Sequence, residues 1–520
     1  MMRTLVTLLA SLCVLTSLQV VSCGGDKIAQ SEWERLAAIR AEAEDAWTDL
    51  MTAAYQSDST GMSGYYNGAL SKHRSLFTRD NIELLKRIER HFGASPDSTA
   101  INLLKVYVIA GYCSTELADR RSDRPPLVIE LYAPDLCPSL VWSKLEKGLA
   151  AADDRQQRLA LYAQSVAGLQ GQAEQIKQSQ AVEDSLFRTL GYESSLDFYL
   201  EFHRTSSESI RSLAKSALAS SDSVYYALLA QVTGFRADAQ AGSLRLFDLP
   251  HLMTNAQSRL VFPIDSVLTW LQSTFTGMDI PVDLNDVFDV AAKGNDGHFE
   301  CGGVYPLRLP DKIRVLLGLE KGRASLLYGH MAAGRALPYY FTEARDFTSR
   351  YLGDNSSNFA NGFFFGGFLA NSDYLVSQFE MSKSDAARTS NLVRLLMLVQ
   401  MRRDCALVTY ETALLSGEGD PGTIFAEQMH NALGVTMDNQ DQSLRYGLIT
   451  VLNSADRLRG AALALRMMSR LKEDFGPNLY EQPATGKALA TLWSHGHDLS
   501  VEQEMRLLDL RTLSESDRGR

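Results

Sequence analysis

The chain has 520 residues, of which 45% are hydrophobic and 22% charged, and its formal net charge is −11. That composition suits a large packed body and excludes a low-complexity or disordered chain. The acidic surplus argues against nucleic acid and anionic headgroups as partners.

The first segment reads as an export signal. Arg3 supplies a short positive region, and the run from Leu5 to Val21 is apolar but short for a membrane span. It ends in Val20-Val21-Ser22-Cys23, which resembles the lipobox of bacterial lipoproteins. That resemblance implies a signal peptide over 1–22, acyl chains on Cys23 and a place in the bacterial cell envelope, anchored to the membrane by lipid. Each buried CH₂ of such chains contributes about 0.8 kcal/mol. Gly24 after the Cys, where an Asp would retain the protein, implies the outer membrane rather than the inner. Residues 23–30 form a tether. Cys113, Cys137, Cys301 and Cys405 remain in an exported chain where disulfides are permitted; three pairings are open, and none of the four has metal-ligand spacing.

Beyond the tether the pattern is helical. Trp33, Leu36, Ile39, Ala43 and Trp47 recur at three- and four-residue spacing and predict a helix from Ser31. Further helices are expected over 81–92 and, strongly apolar, over 99–113. The run Leu127-Val128-Ile129-Glu130-Leu131-Tyr132 reads as a strand. A long polar helix is expected over 153–184, with helical pattern continuing to about residue 233 and again over 264–275. A small sheet is expected around 300–319, and helices follow. The expected division is an N-terminal helical lobe over 31–260 and a C-terminal lobe over 261–520. The apolar run 359–371 is too short for a membrane span, and no internal repeat is present.

Residues 323–369 carry the most information. The first part reads R-A-S-L-L-Y-G-H-M-A-A-G-R-A-L, and the second L-G-D-N-S-S-N-F-A-N-G-F-F-F-G-G-F-L. A catalytic zinc helix needs H-E-x-x-H: two His on one face as ligands, and a Glu as base toward the bound water. Here the five positions are Leu326, Leu327, Tyr328, Gly329 and His330, so the last His alone is present. The aromatic-Gly-His flank and the downstream L-G-D-N resemble the helical zinc peptidases related to oligopeptidase F and thimet oligopeptidase. In that family a downstream Glu is the third ligand, and ungapped alignment places Phe359 there.

Other segments resemble the same family in the same order. They are Leu190-Gly191-Tyr192, the pair of apolar segments around Phe299–Leu307 and Leu309–Leu317, Tyr410-Glu411, Ser454-Ala455-Asp456-Arg457-Leu458-Arg459, and Leu489 with Leu492-Trp493 and Gly496. Asn295-Asp296-Gly297 stands where the family has basic residues, and Arg457 where it has an aromatic.

The resemblance implies a mainly α, two-lobed, zincin-like body of the M3 peptidase type, with a small β-sheet beside the former metal helix. It also implies that Leu326, Leu327, His330 and Phe359 are vestigial metal-site positions facing one another. No cofactor and no catalytic residue are expected, since one imidazole cannot hold catalytic zinc. The expected function is a lipid-anchored pseudopeptidase that binds a peptide or protein partner in its cleft. The alternatives are a structural lipoprotein with a closed cleft, or a hydrolase with a non-zinc site. Among lesser signals, Asp354 or Glu343 could join His330 on a metal, but the reading favoured is a histidine hydrogen-bonded within its own helix. His495-Gly496-His497 reads as an exposed turn. Phe363, Phe364, Phe365 and Phe368 read as core, and Asp286, Asp289 and Glu300 as surface charge.

Overall fold

The computed structural model describes residues 28–60, 65–93, 95–118, 127–132, 140–234, 244–254, 264–284, 303–317, 323–448, 453–497 and 499–509. The signal segment, Cys23, Cys137 and the stretch holding Asp286, Asp289, Asn295, Glu300 and Cys301 lie outside these residues.

In chain order the helices are α1 (Gln30–Thr60), α2 (Tyr65–Lys72), α3 (Arg79–Phe92), α4 (Pro96–Leu117), α5 (Leu127–Tyr132), α6 (Leu140–Ala151), α7 (Arg155–Thr189), α8 (Ser195–Phe202), α9 (Ser207–Gly234), α10 (Leu249–Thr254) and α11 (Ile264–Gly277). A hairpin of β1 (Gly303–Arg308) and β2 (Lys312–Leu316) interrupts them. Then come α12 (Arg323–Phe341), α13 (Phe347–Tyr351), α14 (Asn355–Phe368), α15 (Ser372–Phe379), α16 (Lys383–Leu415), α17 (Pro421–Leu433), α18 (Arg445–Leu448), α19 (Asn453–Phe475), α20 (Pro483–Ser494) and α21 (Val501–Asp509).

The protein is therefore mainly helical, with a two-stranded antiparallel sheet just before α12. Local chemistry sets many of the starts. Thr78, Ser95, Asp154, Ser194, Asp354, Ser382 and Asp420 each accept a backbone N–H in the first turn of the helix they precede, meeting donors that would otherwise lack partners. The hairpin pairs Val304 with Val315 and Tyr305 with Arg314. It docks on α1, where the buried Trp47 donates its indole N–H to the carbonyl of Pro306 at 2.8 Å.

The segment expected as a strand at Leu127 to Tyr132 is helix α5. Leu127, Val128, Ile129, Leu131 and Tyr132 are all buried, and the first turn is held by a bond from Val128 N–H to Ser114 Oγ at 3.1 Å. A short continuous apolar run has no periodicity by which to tell a buried helix from a strand.

Helix α14 is the centre of the body. Every residue from Asn355 to Phe368 except Gly367 is buried. Close approach to its neighbours depends on glycine. A Cβ at Gly334 of α12 would stand 2.4 Å from the Asn361 carbonyl, and one at Gly460 of α19 would stand 2.6 Å from Phe359 Cβ. Both are closer than real side chains approach, so α12 and α19 can press on α14 only without a side chain at these points.

Candidate functional site

The positions expected to face one another are reached by following the contact between α12 and α14. Gly366 faces Leu327 and Met331, Gly362 faces Met331 and Arg335, and Gly334 faces Asn361 and Phe365. The two helices run antiparallel, so the part of α14 opposite Leu327 and Met331 is Gly362 to Gly366. Phe359 lies farther along, with the Arg335 guanidinium 4.9 Å from its ring centre. The sequence places Phe359 beside His330; the structure puts it about a turn and a half away, against Arg335 and Gly460.

Leu326, Leu327 and His330 are each fully buried. His330 Nδ1 lies 2.9 Å from the Leu326 carbonyl, which can only accept, so this nitrogen carries the proton. The Nε2 lone pair is then free to accept the Tyr374 hydroxyl, 3.0 Å away. Tyr374 is in turn 2.7 Å from Thr274 Oγ1. Burial pushes the His330 imidazole down to about 4, so it is neutral near pH 7. The lone pair that a metal would need is already used, and the adjoining positions are aliphatic. These residues do not fit a zinc ion. Asp354 and Glu343 do not join His330 either: Asp354 pairs with His203 and Arg459, and Glu343 ties its backbone N–H to the Ser494 carbonyl.

Tyr374 stacks edge-on against Tyr480, with ring centres 4.9 Å apart. Tyr480 borders an open groove of about 800 Å³ lined by Leu268, Gln272, Ser273, Thr276 and Gln378. Two aromatic rings, Tyr374 and Tyr480, thus connect His330 to the groove. Several of its polar groups pair with one another or with the backbone: Gln272 Nε2 with the Val282 carbonyl at 2.9 Å, and Ser273 Oγ with Gln378 Oε1 at 3.0 Å.

A second constellation has no counterpart in the sequence reading. His203 closes α8, Asp354 caps α14 and Asp456 stands in the first turn of α19. One ligand-type atom from each lies within 4.8 Å of the others. His203 Nδ1 is 3.1 Å from Asp354 Oδ1, and Nε2 is 3.4 Å from Asp456 Oδ1. Tyr199 donates its hydroxyl to Asp456 Oδ1 at 2.6 Å. Arg459 stands 2.7 Å from Asp354 Oδ2, 3.1 Å from His203 Nδ1 and 3.2 Å from Ser356 Oγ.

Burial would raise the Asp354 carboxyl, but Arg459 and His203 outweigh it and hold the group well below the usual carboxylate range. Burial and the nearby Asp354 push Asp456 up instead. Glu504 of α21 lies beside Ser357, and burial pushes its carboxyl up to about 8. The members are about 100 to 150 positions apart in the chain, so no local spacing could have announced them. Asp354 was visible as part of L-G-D-N and as a candidate partner of His330, and Asp456 as part of the segment from Ser454 to Arg459.

The other expectations resolve individually. His495 is exposed, but His497 is buried and lies on the Tyr339 ring with centres 4.2 Å apart, so the two do not form one exposed turn. Phe363, Phe364, Phe365 and Phe368 are core. Arg457 makes a buried ion pair with Asp404, with guanidinium–carboxylate contacts of 2.6 and 3.0 Å. Cys113 and Cys405 are both buried, and Cys405 is a free thiol.

No family model matches the sequence, and no curated protein matches it. Among solved structures the chain is similar to metallocarboxypeptidase 1 of Trypanosoma cruzi, with a TM-score of 0.56 at 13% identity, over 92% of this chain and 96% of that one. At that identity the likeness shows the fold alone: the body has the fold of a helical metallopeptidase along nearly its whole length.

Proposed function

We propose that this protein is a metallopeptidase-like body that does not hydrolyse peptides, is held at the bacterial envelope by lipid on Cys23, and binds a peptide or protein partner. The observation that carries the reading is His330. Its one available lone pair faces Tyr374, and Leu326 and Leu327 fill the positions of the first ligand and the base. A zinc peptidase needs three protein ligands and an open fourth position. Support for binding comes from the open groove beyond Tyr480, whose amides and hydroxyls lie beside aliphatic Leu268. That mixture suits an extended backbone with apolar side chains.

Three measurements test the reading. The purified chain should show no chelator-sensitive peptidase activity and hold no zinc that is lost on His330→Ala; either finding would overturn the non-hydrolytic reading. Cys23→Ser should move the chain out of the membrane fraction. Unstructured peptides should compete for the groove, and Gln378→Trp should weaken them. A second reading, a structural body with no ligand, is favoured by the mutual pairing of groove side chains. Peptide binding that is absent, or unchanged by Gln378→Trp, would decide for it.

A further inference from the structure

The cluster at the ends of α8, α14 and α19 has the donors of a cation site, at a place separate from the former peptidase centre. We propose that His203, Asp354 and Asp456 form a buried site for one divalent cation of the Zn²⁺ or Mn²⁺ class, tying the end of α8 to the starts of α14 and α19. One imidazole with two carboxylates is a mixed nitrogen and oxygen set of the kind these ions take.

Geometry is the first support. The His203 side chain has no exposed surface, and its Nε2 has no hydrogen-bond partner although it faces Asp456. The separation of 3.4 Å to Asp456 Oδ1 is long for a charge-assisted N–H···O bond, which spans about 2.7–2.9 Å. It is close to the edge of a tetrahedron whose metal bonds are about 2.0–2.1 Å, which is about 3.3 Å. Ser356 Oγ stands at the same 3.4 Å from Asp456 Oδ1 and offers a further oxygen. Tyr199 holds Asp456 from the outside, as the outer partners of metal ligands do.

Charge is the second support. Asp354 and Asp456 bring two carboxyls to one point, and their ion pairs reach one guanidinium and one imidazole. Buried carboxylates are stable only when paired. Asp354 Oδ1, 3.1 Å from His203 Nδ1, can take the Nδ1 proton, which leaves the Nε2 lone pair for the ion, while Arg459 holds Asp354 Oδ2. Since the donors are closed to solvent, the ion would enter during folding and stay.

The experiment uses the full chain, purified in detergent without a metal-affinity step. It is unfolded in guanidinium with a chelator, then refolded with ZnCl₂, with MnCl₂ or with neither. With one of the two salts the protein should retain about one equivalent after desalting and melt at a higher temperature than the protein refolded without metal. His203→Gln and Asp456→Asn should each lose the ion, and His330→Gln should keep it. If neither salt leaves a retained ion or raises the melting temperature of the unaltered chain, the proposal fails, and a proton occupies the gap between His203 and Asp456. That comparison needs no variant, so a variant that misfolds leaves it intact. An ion retained by His203→Gln and Asp456→Asn also overturns the proposal. If such an ion is lost on His330→Gln, the non-hydrolytic reading falls with it.

Discussion

Two buried regions lie on either side of α14 and solve opposite problems. Where α12 meets α14, the ligand-type positions hold Leu326 and Leu327, and the one histidine is neutral and satisfied by Leu326 and Tyr374. At the start of α14, carboxylates, an imidazole and a guanidinium converge, with the rings of Tyr199 and Phe202 against the imidazole. The first region gains cohesion from apolar area, about 1.5–3 kcal/mol for each fully buried large side chain. The second depends on the completeness of its pairing, because a buried charge without a partner costs several kcal/mol. The difference separates two things that a peptidase centre combines: cohesion between helices and a concentration of polar groups.

The largest expected effect is in the polar region. Arg459→Met should lower stability by about 3–5 kcal/mol, because it strips the counter-charge from Asp354 while leaving the carboxylate buried. Urea unfolding at neutral pH measures it. A loss below about 1 kcal/mol, the range of exposed pairs, would mean that water reaches the cluster, and the contrast between the regions would disappear. In the apolar region Phe359→Ala should cost about 3–5 kcal/mol, as core truncations of this size do. Arg335 would lose the ring it lies over at 4.9 Å. A cost near zero would mean that α12 and α19 close over the gap, against the tight glycine contact of Gly460 with Phe359.

The sequence made the apolar region legible and left the polar one hidden, for a physical reason. Leu326, Leu327 and His330 are neighbours on one helix, so their spacing carries meaning before any folding. The same reading misplaced Phe359, because sequence gives the distance along α14 but not its register against α12. That register is set by Gly334, Gly362 and Gly366, whose missing side chains decide where the helices touch. The His203 cluster depends on three helix ends meeting, which no local pattern encodes. Helix content and the hairpin before α12 were legible because periodicity and turn residues are local; the short apolar α5 was not. The ordered family resemblance from about residue 150 to 500 was informative about fold, and the likeness to a metallopeptidase agrees with it at that level.

A pH series separates the regions further. The folded-state His330 is pushed from 6.5 down to about 4 by burial. The unfolded chain therefore takes up the proton first as pH falls. The stability that His330 contributes is present above pH 6.5 and is lost as pH falls through about 4, a displacement worth about 3 kcal/mol. His497, pushed by burial to about 3, adds a loss of the same sign. His330→Gln should flatten the fall between pH 6.5 and 4, whereas Arg459→Met should lower the curve without flattening that interval. If His330→Gln left the slope unchanged, His330 would not be neutral in the fold.

The smallest effect addresses what occupies the His330 lone pair. Tyr374 donates to His330 Nε2 and lies 2.7 Å from Thr274 Oγ1, which also has the Trp270 carbonyl at 3.0 Å. Tyr374→Phe therefore leaves one group stranded, the Nε2 lone pair, and should cost about 1–3 kcal/mol, the range for an unmatched buried acceptor. Once His330→Leu has removed that acceptor, Tyr374→Phe should cost less than about 1 kcal/mol, since no polar atom remains to strand. The double-mutant cycle isolates this coupling from the packing lost with either side chain. A coupling of about 1 kcal/mol means that a phenol does at His330 what a metal does in a peptidase: it saturates the imidazole and fixes the ring. A coupling of zero would mean that Tyr374 and His330 merely lie near each other, and the lone pair would again be open to a ligand.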